Sequence, residues 1–219
     1  MLNEDYKILV GVIGNRDLSR QTVKSLMLWQ YKRQLPSLLV LGDDTNIEKE
    51  RNEMVRTAVQ EKATHLMFID DDIVFPYHAI DLLARRQKDI VGGLYYGRVL
   101  PRPMAYKDRM TQENIDPEKD KGVFEVDFVG AGFMMIDMKV FQKLDPPFFH
   151  FSYDYKRFGV KGDGLNPVGE DAYFCFYAKE NGFKTYVDTT FELGHIGRHT
   201  YRKLDYQIYK ENKELYDRI

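Results

Sequence analysis

His65-Leu66-Met67-Phe68-Ile69-Asp70-Asp71-Asp72 is the stretch on which the fold turns. Residues 65–69 are an unbroken apolar run of strand length, and they stop abruptly at three carboxylates. A short apolar run bounded by polar residues reads as a strand buried on both faces. Upstream, residues 6–13 (YKILVGVI) read the same way and end at the turn Gly14-Asn15. Asp17 or Ser19 then caps a helix to about Tyr31. A second short run, residues 37–41, ends at Gly42-Asp43-Asp44. Asn46 opens a long helix whose Ile47, Met54, Val55, Ala58 and Val59 recur at helical spacing. Downstream, Pro76 suits the first turn of a helix burying Ile80, Leu83 and Ala84, and residues 89–93 are a fourth strand. Strands alternating with helices predict an α/β fold with a mainly parallel sheet flanked by helices.

Beyond Gly97 the alternation breaks. Residues 98–122 carry three prolines and many charges, which predicts a long loop. Residues 123–136 return to strand-like sequence, residues 138–144 suggest a short helix, and residues 145–168 form a second loop rich in aromatics. Gly169 leads into a helix ending near Asn181, where Gly182 is placed to stop it. Residues 184–187 are a last strand, and residues 200–219 a charged, Tyr-rich helical tail. The organisation expected is one domain over residues 1–199 followed by that tail.

Composition narrows the function classes. The 219 residues include 32 basic and 34 acidic side chains, for a net charge of −2. No basic face is implied, so nucleic acid is not the expected partner. Tyr (15) and Phe (14) are plentiful beside a single Trp, which suits core packing before sugar stacking. The lone Cys175 cannot form an intrachain disulfide, and it lies in an apolar helical run as a small buried hydrophobe. The acidic N-terminus is unlike a signal peptide, and no apolar stretch approaches the roughly 20 residues of a membrane span. A cytoplasmic protein without a transmembrane segment is expected; the oligomeric state is left open.

Three features carry chemistry. Asp70, Asp71 and Asp72 fall at the carboxyl end of a strand, where open α/β sheets place their ligand crevice. In extended chain Asp70 and Asp72 would point one way and Asp71 the other. Neighbouring carboxylates repel, and a hard divalent cation such as Mg²⁺ or Mn²⁺ relieves that repulsion while leaving room for phosphate oxygens. A solvated turn before Pro76 is the plainer reading of the same residues. Glu170 and Asp171 open a helix, where the dipole favours the ionised form a general base needs; a simple helix start needs nothing more. His195 lies between Gly194 and Ile196-Gly197, and imidazole is a common metal ligand.

Taken in order, FIDDDIVFP, VDFVGAGFMMIDMKVF, GEDAYFCFYAKENGFKTYVD and GHIG resemble the GT-A-fold glycosyltransferases, nearest the family-2-like group. The resemblance runs roughly from Lys7 to Gly197. It implies a Rossmann-like sheet and a D-x-D motif that holds a nucleotide-sugar diphosphate through Mn²⁺ or Mg²⁺. On this resemblance Asp72 is a direct metal ligand, with Asp70 and His195 as further candidates. Asp70 or Asp71 would contact the ribose or donor sugar. Asp171 would be the general base, aided by Glu170. Ile13, Asn15, Arg16 and Asp43 would hold base and ribose, and Arg51-Asn52 resembles an R-N pair facing the donor. The turn VIGNRD lacks the proline and tyrosine usual there, and no Q-x-x-R-W motif follows Asp171, which argues against a processive synthase.

The expectation is metal-dependent, inverting, single transfer of a sugar from a UDP- or GDP-sugar to a hydroxyl of a glycan, protein or small-molecule acceptor. A sugar-phosphate nucleotidyltransferase and a non-catalytic nucleotide-sugar-binding protein are the alternatives. The former should carry a Gly-rich, basic loop after its first strand, where this chain has only Gly14 and Arg16. Gly130-Ala131-Gly132 would admit the donor or pack tightly. Arg98 and Arg102 would meet phosphate or acceptor, or lie in a solvated loop. Tyr95, Tyr96, Phe149, Phe151 and Tyr153 would form a sugar platform or pack beneath the loops.

Overall fold

A computed structural model describes residues 6–14, 17–98, 100–108, 111, 113–158, 165–197 and 200–213. The first half alternates as the sequence predicts: β1 (Ile8–Ile13), α1 (Arg20–Lys32), β2 (Ser37–Leu41), α2 (Ile47–Gln60), β3 (His65–Asp70), the short β4 (Ile73–Val74), α3 (Ala79–Arg85) and β5 (Ile90–Gly93). Two side-chain caps start the helices. Ser19 Oγ accepts from Thr22 N–H at 2.9 Å, and Asn46 Oδ1 accepts from Lys49 N–H at 3.0 Å. Then come β6 (Ala105–Asp108), β7 (Glu113–Asn114), β8 (Val123–Val126), β9 (Phe128–Val129), β10 (Phe133–Asp137), α4 (Glu170–Glu180), β11 (Thr185–Asp188), β12 (Gly194–Ile196), β13 (Thr200–Tyr201) and α5 (Lys203–Glu211).

The central sheet has seven strands in the order β2-β1-β3-β10-β5-β11-β8. Strands β2, β1, β3, β5 and β11 run one way; β10 and β8 run against them. The α/β class with a mainly parallel sheet flanked by helices is therefore the observed one. Alternation along the strands divides the core in two. Ile8, Val10 and Val12 of β1, with Met67 and Ile69 of β3, pack against Leu26 and Trp29 of α1 and Ile80 and Leu83 of α3. Leu9 and Ile13, with Leu66 and Phe68, pack on the other face against Met54, Val55 and Ala58 of α2 and Phe174 and Cys175 of α4. Both faces are covered, which is why these strands read as continuous apolar runs.

Three local differences from the sequence reading matter. The loop over residues 98–122 carries β6 and β7. Residues 138–144 are successive turns in place of a helix, squeezed between the end of β10 and Pro146-Pro147. The tail helix α5 packs on the body: Tyr206 and Tyr209 are buried, and Tyr206 stacks on Tyr96 at 5.5 Å between centroids. Among the described residues no helix is long and apolar enough to cross a membrane.

Candidate active site

The chain leaves β1 over one face through α1 and returns over the other through α2 to β3. The helices diverge at the carboxyl ends of β1 and β3, the place where open α/β sheets hold ligands. A cavity of about 230 Å³ opens there, lined by Ile13, Gly14, Asp44, Glu50, the three aspartates and Arg98 among others. Asp70 is the last residue of β3, so strand alternation ceases to govern its two successors, and the three carboxylates take three surroundings.

Asp70 turns to α2. Its Oδ1 accepts from Arg51 Nη2 at 2.9 Å, while Arg51 Nε donates to Glu170 Oε1 at 3.2 Å and Nη1 to the Ala131 carbonyl at 3.3 Å. The Arg51 side chain is 2% exposed and lies over the Phe68 ring at 5.1 Å. Burial works against its charge, but the carboxylates of Asp70 and Glu170 outweigh burial and hold its pKa raised. Glu170 is buried at the start of α4, and its pKa is raised to about 7, first by burial and then by the charge of Asp171, with Arg51 opposing. Asp171 is half-buried, and its Oδ1 accepts from Ala172 N–H at 2.7 Å. Gly169 caps this helix without a side-chain bond, so the two carboxylates supply the negative charge its N-terminus favours.

Asp71 lies against the β1 turn. A Cβ on Gly14 would fall 2.2 Å from Asp71 Oδ2, so a glycine is required where this carboxylate packs. Asp72 has different partners from Asp70. Its Oδ2 pairs with Arg98 Nη1 at 2.6 Å, and its Oδ1 lies 3.3 Å from His195 Nε2. The small antiparallel pairing of β12 with β4, with His195 opposite Ile73, carries the histidine to this place. His195 Nδ1 contacts the Tyr96 carbonyl at 2.6 Å. A carbonyl only accepts, so Nδ1 bears a hydrogen, and the ring turns its Nε2 toward Asp72. A carboxylate oxygen and an imidazole nitrogen 3.3 Å apart are ligand types that suit a cation shared between them. Among the described residues no three His, Cys, Asp or Glu side chains converge as a cage. The pair fits a cation that draws its remaining ligands from phosphate and water, as Mg²⁺ and Mn²⁺ sites commonly do.

The other candidates fall as follows. Ile13 lines the cavity, and its carbonyl accepts from Asp71 N–H at 2.8 Å. Asn15 and Arg16 lie outside the described residues. Asp43 is exposed, and its neighbour Asp44, held by Lys49, lines the cavity instead. Asn52 turns away from the cavity: its Oδ1 accepts from Phe148 N–H at 2.9 Å, and its Nδ2 donates to the Phe149 carbonyl at 2.8 Å. Arg102 pairs with Tyr209 Oη at 2.7 Å, while Arg98 is in the site.

Gly130 and Gly132 make room for Tyr95, whose hydroxyl would lie 2.2 Å from a Cβ on Gly130 and accepts from Gly132 N–H at 3.1 Å. Burial, and then the charges of Asp70 and Asp171, push the Tyr95 pKa well up. Tyr96 and Phe149 are also buried; Phe151 and Tyr153 are exposed.

Sequence reasoning missed Glu50. It is 3% exposed and lines the cavity, and its Oε2 accepts from Gly14 N–H at 3.1 Å. The available signal was an acid between Ile47 and Met54, on the apolar face of α2.

No family model matches the sequence, and no curated protein matches it. Among solved structures the fold is similar to the crystal structure of A197 from STIV, at 18% identity over 88% of this chain and 86% of that one, with a TM-score of 0.60. Two further structures are more distant. The inositol-1-phosphate CTP transferase from T. maritima gives 13% identity over 95% of each chain and a TM-score of 0.46. TarS 1-349 from S. aureus gives 12% identity over 84% of this chain and 58% of that one, with a TM-score of 0.45. At such identities the likeness is one of fold.

Proposed function

We propose that the chain transfers a sugar from a nucleotide-diphosphate sugar to an acceptor hydroxyl, with a divalent cation held by Asp72 and His195. The observation that carries this reading is Arg51 spanning Asp70 and Glu170. One buried guanidinium ties the acidic run at the end of β3 to the carboxylate pair at the start of α4, which supports reading the cation-binding and proton-accepting groups as one site. When bound, the cation offsets the charge of the leaving diphosphate.

The chain's own groups supply the rest. Glu170 turns inward to Arg51, which leaves the more accessible Asp171 to take the acceptor's proton. As that proton leaves, the acceptor oxygen attacks the anomeric carbon, the bond to the diphosphate breaks, and the configuration inverts. Asp44 and Glu50, which also line the cavity, would meet the base or ribose.

The test is product analysis with Mn²⁺ and a panel of UDP- and GDP-sugars. Release of nucleoside diphosphate with a glycosylated product supports sugar transfer. Pyrophosphate released from a nucleoside triphosphate and a sugar phosphate would replace it with nucleotidyl transfer. Equal nucleotide affinity in Mn²⁺ and in EDTA would remove the cation from the reading.

A further inference from the structure

We infer that Arg98 is an exchangeable counter-ion: it occupies Asp72 when no cation is bound, and on cation binding it is released to the diphosphate. This rests on the metal-dependent reading above. The guanidinium lies 2.6 Å from Asp72 Oδ2, while Asp72 Oδ1 faces His195 Nε2 at 3.3 Å. A cation held by this carboxylate and imidazole competes with Arg98 for the same carboxylate. The Asp72 side chain is 9% exposed, so two positive charges on it at once would repel across a poorly screened gap.

Arg98 is free to move where Arg51 is not. Its side chain is 42% exposed against 2% for Arg51, and it borders the open cavity. The backbone just before it is tied down, so a change of partner needs only a swing of the side chain. Gly97 N–H donates to the Arg102 carbonyl at 2.9 Å, and Arg102 is held by Tyr209 of α5. A planar fork of donors leaving a carboxylate finds its natural new partner in phosphate oxygens. The exchange needs no bond made or broken beyond ion pairs. It offsets the charge of Asp72 where no cation is bound, and it adds a second positive group at the diphosphate only when the cation is in place.

The experiment is to titrate Mn²⁺ alone into wild type, Arg98→Met and Arg98→Lys, following free Mn²⁺ by electron paramagnetic resonance. UDP and GDP are then titrated into each protein at saturating Mn²⁺. Arg98→Met should bind Mn²⁺ alone about tenfold more tightly than wild type, because the competitor is gone, and bind the nucleotide about tenfold more weakly. Arg98→Lys should fall between the two on both measures. Mn²⁺ affinity that is unchanged or weaker in Arg98→Met overturns the exchange while leaving the cation site standing. Tighter Mn²⁺ binding with unchanged nucleotide affinity also overturns it, since release to the diphosphate is then absent. Failure of wild type and Arg98→Met alike to bind Mn²⁺, with or without nucleotide, overturns the metal-dependent reading and this inference with it.

Discussion

The two ends of the acidic run hold their arginines in opposite ways. At the Asp70 end, Arg51 is sealed in, bonded to two carboxylates and a carbonyl and backed by the Phe68 ring. At the Asp72 end, Arg98 is half in solvent beside a cavity and a histidine. The charge pairing is alike; the surroundings are not. In a dry setting an ion pair becomes part of the frame, because a charge left behind has neither water nor partner. In a wet setting it is worth little and can be exchanged for a ligand. The site thus joins a fixed half, which holds Glu170 of α4 in place, to an adjustable half, which borders the open cavity.

The sharpest way to break this contrast is to remove each arginine. Arg51→Met should destabilise the fold by about 3–5 kcal/mol, since it strands Asp70 and Glu170 against each other. Arg98→Met should change stability by about 1 kcal/mol or less. Paired urea melts decide it, and equal losses would erase the distinction. Asp171→Asn should act on rate rather than on stability. The amide keeps the shape at the start of α4 but cannot take a proton, so kcat should fall by roughly 10²–10⁴ with donor affinity little changed. Near-normal turnover in this variant would move the base elsewhere.

Much of this was legible before the structure, and the failures have causes. Residues 8–13 and 65–70 read as strands because both faces are buried, which forces continuous apolar sequence. The antiparallel direction of β10 was not legible, because an apolar run carries no sign of which way it pairs. Asp70–Asp72, Glu170, Asp171 and His195 stood out by residue type and position. What each would touch did not: the strand ends at Asp70, and partners such as Arg98 and Ala131 come from distant loops. Glu50 looks like an ordinary polar helix residue until the fold buries it, and Asn52, expected to face the donor, clamps the 148–149 backbone instead.

A third prediction probes the fixed half by pH. The Glu170 pKa stands raised to about 7, from 4.5 in a free side chain. Between those values the unfolded chain gives up its proton while the folded one keeps it, so this group's contribution to stability falls as pH rises through the window. Glu170→Gln removes that dependence. The variant should gain on wild type from pH 5 to pH 7, by about 3 kcal/mol at most, and the difference should level off above that. A difference that is flat with pH, or that shrinks toward neutrality, would mean that Arg51 dominates over burial.

The smallest effect expected, and the finest test of the contrast, is at Glu50. It neighbours Arg51 on the same helix and is likewise buried, yet its carboxyl meets backbone N–H groups rather than an ionic partner, with Oε2 accepting from Gly14 N–H at 3.1 Å. Its Oε1 abuts Gly42, where a Cβ would fall 1.7 Å away. Burial raises the Glu50 pKa, and the Gly14 and Asp44 backbone N–H groups and the Arg51 charge oppose it only in part. The sign is that of Glu170: stability contributed below the ordinary carboxylate range fades as pH rises past it. Glu50→Gln keeps an acceptor for Gly14 and removes the charge. It should be neutral at pH 4 and stabilising by about 1 kcal/mol at pH 8, the size of a single hydrogen bond. Thermal melts at the two pH values measure it. A variant destabilised at pH 8 by as much as Arg51→Met would place Glu50 in the same ionic frame as its neighbour, and the fixed half of the site would then reach across α2 to the β1 turn.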